Sequence, residues 1–138
     1  MDGFRDNSLN IKKFRYWTLI LHENQSYLGR AICYLNQYKE DMAELSREEY
    51  LELLKIIKLY QKVLTKLWQP DWWNYARQGN CEPRLHFHFV PRYQKARAFE
   101  EKKFTDRRWG KNYVPALKRK IDKKVNQKIK LAIKAELG

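Results

Sequence analysis

The chain has 138 residues, 43% hydrophobic and 14% aromatic, enough to fill a core and to exclude a mainly disordered protein. Its 29 Lys and Arg against 16 Asp and Glu give a formal charge of +13, a field that attracts nucleotides, nucleic acid or acidic membranes, or serves solubility alone. No apolar run approaches the roughly 20 residues that cross a bilayer, and the N-terminal stretch MDGFRDNSLNIKKF lacks the apolar centre of a secretory signal. Cys33 and Cys81 are too few for a disulfide framework or a closed zinc site, so a cytoplasmic protein with free thiols is expected. The simplest organisation is one domain over 1–138, with a basic helix over about 115–138 as an extension.

Residues 14–23, FRYWTLILHE, are β-branched and aromatic and predict a strand. ENQSYLG reads as a turn, and RAICYL (30–35) as the second strand of a hairpin. Ser46 opens a capping box with Glu49, and the helix it starts is expected to run to about Trp68. Leu53, Ile56, Ile57, Tyr60, Val63, Leu64 and Leu67 recur at helical spacing, and Pro70 stops the helix. DWWNYARQGN leads into RLHFHFVPRY (84–93), a strand. Residues 94–108 are charged without periodicity and read as an ordered loop, and WGKNYVP (109–115) as an aromatic knot. A last helix is expected from Pro115, with Leu117, Ile121, Val125, Ile129, Ala132 and Ile133 on one face and lysine on the other. The sum is an α+β domain: an antiparallel sheet, one long helix and a C-terminal helix.

RLHFHFVPRY carries the chemistry. Side chains alternate along a strand, so Arg84, His86 and His88 share one face while Leu85, Phe87 and Phe89 share the greasy one. Two imidazoles beside a cation are poorly suited to two further positive charges, so at least one stays neutral near pH 7. A neutral imidazole next to a phosphate-binding guanidinium can act as a nucleophile toward phosphorus. Two other readings stand beside this one. The histidines can be satisfied structural groups, or they can be two ligands of a zinc site that draws a third from His22, Cys33, Cys81 or a carboxylate.

The segment NYARQGNCEPRLHFHFVPRY resembles the signature of the histidine triad (HIT) superfamily of nucleotide hydrolases and transferases. That signature has three histidines alternating with apolar residues, often closed by Pro-Arg and preceded by a Gly-containing polar loop. WTLILHENQSYLGRAICYLNQYKEDMAELSREE is similar to the family's first hairpin and the start of its helix, and WGKNYVP to a segment after the triad in some members. The resemblance covers roughly residues 14–115.

It implies an HIT-like fold, commonly homodimeric, and attack by the middle histidine on the α-phosphate of a nucleotide. That position is His86. The third histidine, a phosphate-side partner, is His88. Gly79, Asn80 and Cys81 match the phosphate-contacting loop, where the family commonly has Gly, Gln and Ser or Thr. His22 matches a ribose-contacting position, with Glu23 and Asn24 as neighbouring alternatives, and Asn74 a polar residue facing the site from the preceding strand. Arg84 occupies the first triad position, Arg30 the place of a Gly-His pair's histidine, and Tyr38 the place of another histidine. Arginines offer bidentate contacts to leaving-group phosphates but do not give up a proton at neutral pH.

The implied function is a nucleotide hydrolase or nucleotidyl transferase working through a nucleotidyl-histidine intermediate, with dinucleoside polyphosphates among its candidate substrates. The scheme requires no cofactor and no metal. The alternative is a non-catalytic module that holds nucleotide or nucleic acid. Trp72 and Trp73 read as core or dimer-contact aromatics before a base-stacking platform, and the lysine face as solvated before a nucleic-acid surface.

Overall fold

The structure is a computed structural model that describes residues 7–114 and 121–138. Five strands form one antiparallel sheet: β1 (Asn10–Lys13), β2 (Trp17–Leu21), β3 (Ala31–Leu35), β4 (Trp72–Ala76) and β5 (His86–Arg92), in the order β1-β2-β3-β5-β4. Helix α1 (Arg47–Trp68) connects β3 to β4, and α2 (Lys123–Leu137) ends the chain. Between β5 and α2 a small hairpin pairs β6 (Arg97–Phe99) with β7 (Lys102–Phe104). The α+β architecture read from the sequence is the one observed.

Helix α1 forms where its signals place it. The Ser46 hydroxyl accepts the Glu49 N–H while the Glu49 carboxylate accepts the Ser46 N–H, and the helix ends at Gln69 in the left-handed region, just before Pro70. Its inner stripe, Leu53, Ile56, Tyr60, Val63, Leu64 and Trp68, is buried against the sheet. Each aliphatic side chain so buried contributes about 1.5–3 kcal/mol. Two polar bonds lock the docking: Trp17 Nε1–H donates to the Glu49 carbonyl at 2.8 Å, and the Tyr60 hydroxyl to the Gly29 carbonyl at 2.6 Å. Leu19, Leu21, Cys33, Leu35, Leu85 and Phe89 supply the sheet side of this core, and Ile129 and Ile133 of α2 belong to it as well.

Four expectations need correction. The sheet has an extra edge strand, β1, in a stretch whose Asn and Lys residues mask any alternation. Residues 94–108 are no loop: they hold β6 and β7, joined at Glu100 and Glu101, both at positive φ (52° and 62°). Such a turn usually takes Asn-Gly or Asp-Gly, so its residues carried no turn signal. The C-terminal helix α2 runs from Lys123, where the Asp122 carboxylate caps the Val125 N–H. Ile121 precedes it and is exposed, while Pro115, Leu117, Lys118, Arg119 and Lys120 lie outside the described residues. Finally, the histidine strand starts at His86, so Arg84 lies just before it.

Candidate active site

The register decides which side chains meet. Tyr34 pairs with His86 and Ile32 with His88 across β3 and β5; Ala76 pairs with His88, Asn74 with Val90 and Trp72 with Arg92 across β4 and β5. Directly opposed residues of a ladder point to the same side. The face opposite α1 therefore collects His86, His88 and Val90 with Tyr34, Ile32, Thr18 and Ile20, and with Trp72, Asn74 and Ala76. The alternate residues turn inward, where Phe87 packs on Trp17 and Phe89 on Tyr60. Beyond β2 the ladder continues through the His22 N–H to the Arg30 carbonyl at 3.0 Å, which brings His22 to the same face.

Three imidazoles lie in sequence there. The ring centroids of His86 and His88 are 5.2 Å apart, and those of His88 and His22 6.1 Å. His86 is buried, with Nδ1 at 2.7 Å from the Arg84 carbonyl oxygen. A carbonyl only accepts, so Nδ1 carries a proton, and in the neutral form of the ring the lone pair is on Nε2. His22 has the opposite arrangement: its Nδ1 accepts the Asn24 N–H at 2.9 Å, which leaves the proton on Nε2. Burial first, then the charges of Arg30 and His88, hold its pKa down to about 2, so this imidazole stays neutral at physiological pH.

Two guanidinium groups flank the histidines. Arg84 stacks over Tyr34 at 5.5 Å and Tyr38 at 5.6 Å, beside a recess of about 400 Å³ that Lys13 and Thr18 also line. Because Tyr34 opposes His86, Arg84 remains on the histidine face although it precedes the strand. Arg30 is fully buried near His22, with its guanidinium 5.7 Å from the Tyr113 ring centre.

The remaining candidates separate. Of His22, Glu23 and Asn24, only His22 reaches the histidine pair. The Glu23 carbonyl accepts from Asn126 of α2 at 2.8 Å, and the Asn24 side chain closes a turn by accepting the Ser26 N–H and hydroxyl. Asn74 is on the face, but its carbonyl oxygen accepts from Arg92 at 2.7 Å. Gly79, Asn80 and Cys81 lie in the β4–β5 connection, with Asn80 and Cys81 exposed. Gly79 has φ +70° and packs against Arg77, whose guanidinium donates to the Glu40 and Pro83 carbonyls at 2.8 Å each. Cys33 is buried in the core. Among the described residues no three His, Cys, Asp or Glu side chains are grouped to hold a metal ion, so the zinc reading finds no third ligand there.

One group escaped the sequence reading. Arg92 is buried and makes two bonds to Asp106, through Nε at 2.7 Å and Nη2 at 3.0 Å, and others to Asn74 and the carbonyls of Lys111 and Arg108. It ties the segment after β7 to the histidine face. Pro91-Arg92 closes the motif and could have signalled it, but Asp106, 14 residues further on, has no spacing rule to announce it.

No protein-family model matches the chain, and no curated protein matches its sequence. Solved structures do match. A histidine triad (HIT) protein from Sinorhizobium meliloti 1021 superposes with a TM-score of 0.75 at 15% identity, over 93% of this chain and 88% of that one. A histidine triad protein from Marinobacter aquaeolei VT8 gives 0.71 at 19% identity, over 93% and 87%. The diadenosine triphosphate hydrolase of Plasmodium falciparum, solved with cyclomarin A, gives 0.67 at 15% identity, over 98% and 81%. The class these likenesses define is one of fold: the chain has the histidine triad fold, with its histidines on the sheet face turned away from α1. Among the described residues no helix is long and apolar enough to cross a membrane.

Proposed function

We propose that this protein is a nucleotide hydrolase or nucleotidyl transferase that works at an α-phosphate through a nucleotidyl-His86 intermediate. The observation that carries the reading is the bond from His86 Nδ1 to the Arg84 carbonyl, which puts a proton on Nδ1 and leaves Nε2 as the nitrogen that can attack phosphorus. The likeness in fold to a diadenosine triphosphate hydrolase supports nucleotides as the substrate class. In the first step Nε2 attacks the α-phosphorus, the P–N bond forms, and the anhydride P–O bond breaks with its electron pair leaving on the departing phosphate. Water, or another acceptor, then attacks the same phosphorus, releases the nucleotide and restores the imidazole. Arg84 and Arg30 stabilise the charge that develops on the phosphoryl and leaving oxygens, His22 and His88 contact the nucleotide, and the loop over Gly79, Asn80 and Cys81 binds phosphate. A phosphate leaving group departs as an anion, so the lack of a transferable proton on Arg84 is less costly than it would be for an amine.

That lack favours one second reading: a module that binds nucleotide and does not turn it over. Incubation with dinucleoside polyphosphates and nucleoside phosphoramidates, with products resolved by chromatography, separates the two. Release of a nucleoside monophosphate supports the enzyme, and binding without product supports the module.

A further inference from the structure

The recess beside Arg84 belongs to a row of side chains that crosses four strands, β1, β2, β3 and β5. Lys13 of β1 pairs with Thr18, Thr18 with Tyr34 and Tyr34 with His86. Directly opposed residues point to one side of a sheet, so the row runs from the edge of the histidine face to the proposed nucleophile. Lys13, Thr18, Tyr34 and Arg84 all line the recess, whose volume is about 400 Å³. Its tie to His86 is direct, because the Arg84 carbonyl holds His86 Nδ1 and Tyr34 is the pairing partner of His86. Lys12, the neighbour on β1, pairs with Leu19 and so turns to the other side, with its ammonium 5.2 Å from the Phe14 ring centre.

The recess is built, and it is cationic. The Asn36 side chain accepts the Thr18 hydroxyl at 2.6 Å and donates to the carbonyls of Phe14 and Arg15 at 3.1 and 3.3 Å. These bonds fasten the β1–β2 turn, which follows Lys13, to the end of β3 that carries Tyr34. Among the described residues no carboxylate lines the recess, and no ion pair engages Lys13 or Arg84. The Glu82 carboxylate, two residues before Arg84, is held by the Arg84 main-chain N–H at 3.2 Å. Tyr34 is the one aromatic side chain lining the recess among the described residues, and the Arg84 guanidinium stacks over it and over Tyr38, at 5.5 and 5.6 Å. A base entering from His86 finds no open ring to stack on. A phosphate chain finds a fork of N–H donors and then a point charge.

The span fits such a chain. At about 4.8 Å between neighbouring strands, the Lys13 backbone lies roughly 14 Å across the sheet from that of His86. A single phosphate on His86 does not reach it, whereas a run of several does, met by the four-carbon stem of the lysine. A terminal phosphate carries up to about two negative charges at neutral pH, and a second nucleoside at that end removes one of them. We infer that Lys13 is a specificity-determining residue of a leaving-group subsite, which selects nucleoside oligophosphates ending in a free phosphate over those of equal phosphate number capped by a second nucleoside. On cleavage the bare oligophosphate departs with the electron pair of the broken P–O bond, and the nucleotidyl group stays on Nε2 of His86. The inference rests on the nucleotide reading of the His86 site.

The test titrates the full chain by calorimetry with AMP and with methylene-bridged, non-cleavable analogues of adenosine 5′-tetraphosphate and of diadenosine tetraphosphate. The mononucleotide tetraphosphate is expected to bind about tenfold more tightly than the dinucleotide, within the range of one charge-assisted contact. Lys13→Gln should remove most of that preference, Lys13→Arg should keep it, and neither should alter the affinity for AMP. Lys12→Gln removes the same charge one residue away, on the other side of the strand, and should leave the preference intact. Both lysines are exposed, so these substitutions take away no buried packing. Equal losses from Lys12→Gln and Lys13→Gln would assign the preference to the protein's net positive field and overturn the subsite. A preference that survives Lys13→Gln overturns it as well. Binding of AMP with no preference for the free tetraphosphate sinks the subsite and leaves the His86 reading standing, whereas failure of AMP and both analogues to bind ends both.

Discussion

The Nδ1 atom of His86 lies 2.7 Å from the carbonyl oxygen of Arg84. The residue that breaks the three-histidine pattern thus holds the ring of the proposed nucleophile through its main chain, and its side chain is left for other work. That side chain stacks on Tyr34, the pairing partner of His86, and on Tyr38.

Replacing the Arg84 side chain keeps the carbonyl and should keep the tautomer. Arg84→Ala is expected to lower the single-turnover rate about a hundredfold, because developing charge loses its guanidinium, while affinity for a nucleoside triphosphate falls at least about tenfold. A hydrogen bond to a charged group contributes about 1.5–3 kcal/mol. Affinity for the monophosphate should hardly move. Equal losses for both ligands, read by calorimetry, would mean that Arg84 does not contact the distal phosphates.

His22 predicts a pH dependence of stability. Its folded pKa, about 2, lies well below the ordinary imidazole value of 6.5 because the ring is buried beside Arg30 and His88. The unfolded chain therefore binds the proton more readily, and the contribution of neutral His22 is complete above about pH 6.5 and lost as pH falls from there toward 2. Relative to His22→Gln, the wild-type protein should lose up to about 1.4 kcal/mol of stability per pH unit below 6. Parallel pH profiles of denaturant unfolding for the two proteins would refute this.

The Arg92–Asp106 pair is buried on both sides and bridges strand and C-terminal segment. Asp106→Ala leaves a buried guanidinium without its counter-charge and should cost about 3–5 kcal/mol, read as a lower urea midpoint. It should also loosen the Trp109 turn. A loss below about 1 kcal/mol would show that the remaining carbonyls satisfy Arg92 alone.

The lysine face of α2 calls for substitution and not truncation, because Ile129 and Ile133 on its other side are wholly buried in the core. Lys123, Lys124 and Lys134 are exposed. Exchanging all three for Gln is expected to leave oligonucleotide affinity and its salt dependence unchanged. A salt slope that flattens by about one for each lysine removed would instead make this face a nucleic-acid surface.

The sequence was most legible where one local rule governs. The Ser46–Glu49 box and Pro70 bound α1, and the alternation in RLHFHFVPRY assigned Phe87 and Phe89 to the core and His86 and His88 to the opposite face. Elements held by distant partners were hidden. β1 reads as polar because its pairing with β2 is what makes it a strand, and the Glu100–Glu101 turn is imposed by the β6–β7 ladder on residues without turn preference. His22 was placed by resemblance alone. Its approach to His88 depends on the register of three strands, which no single segment encodes, and the Asp106 partner of Arg92 was invisible for the same reason.

The account turns on a covalent bond to one nitrogen. Rapid mixing with a dinucleoside polyphosphate, a quench in base to preserve the acid-labile P–N bond, and peptide mass spectrometry would observe it directly. The predicted result is a single nucleoside monophosphate adduct on the peptide carrying His86, absent from His86→Ala, whose turnover should fall by several orders of magnitude with nucleotide affinity largely kept. Turnover without any adduct, an adduct on another residue, or wild-type turnover by His86→Ala would contradict it.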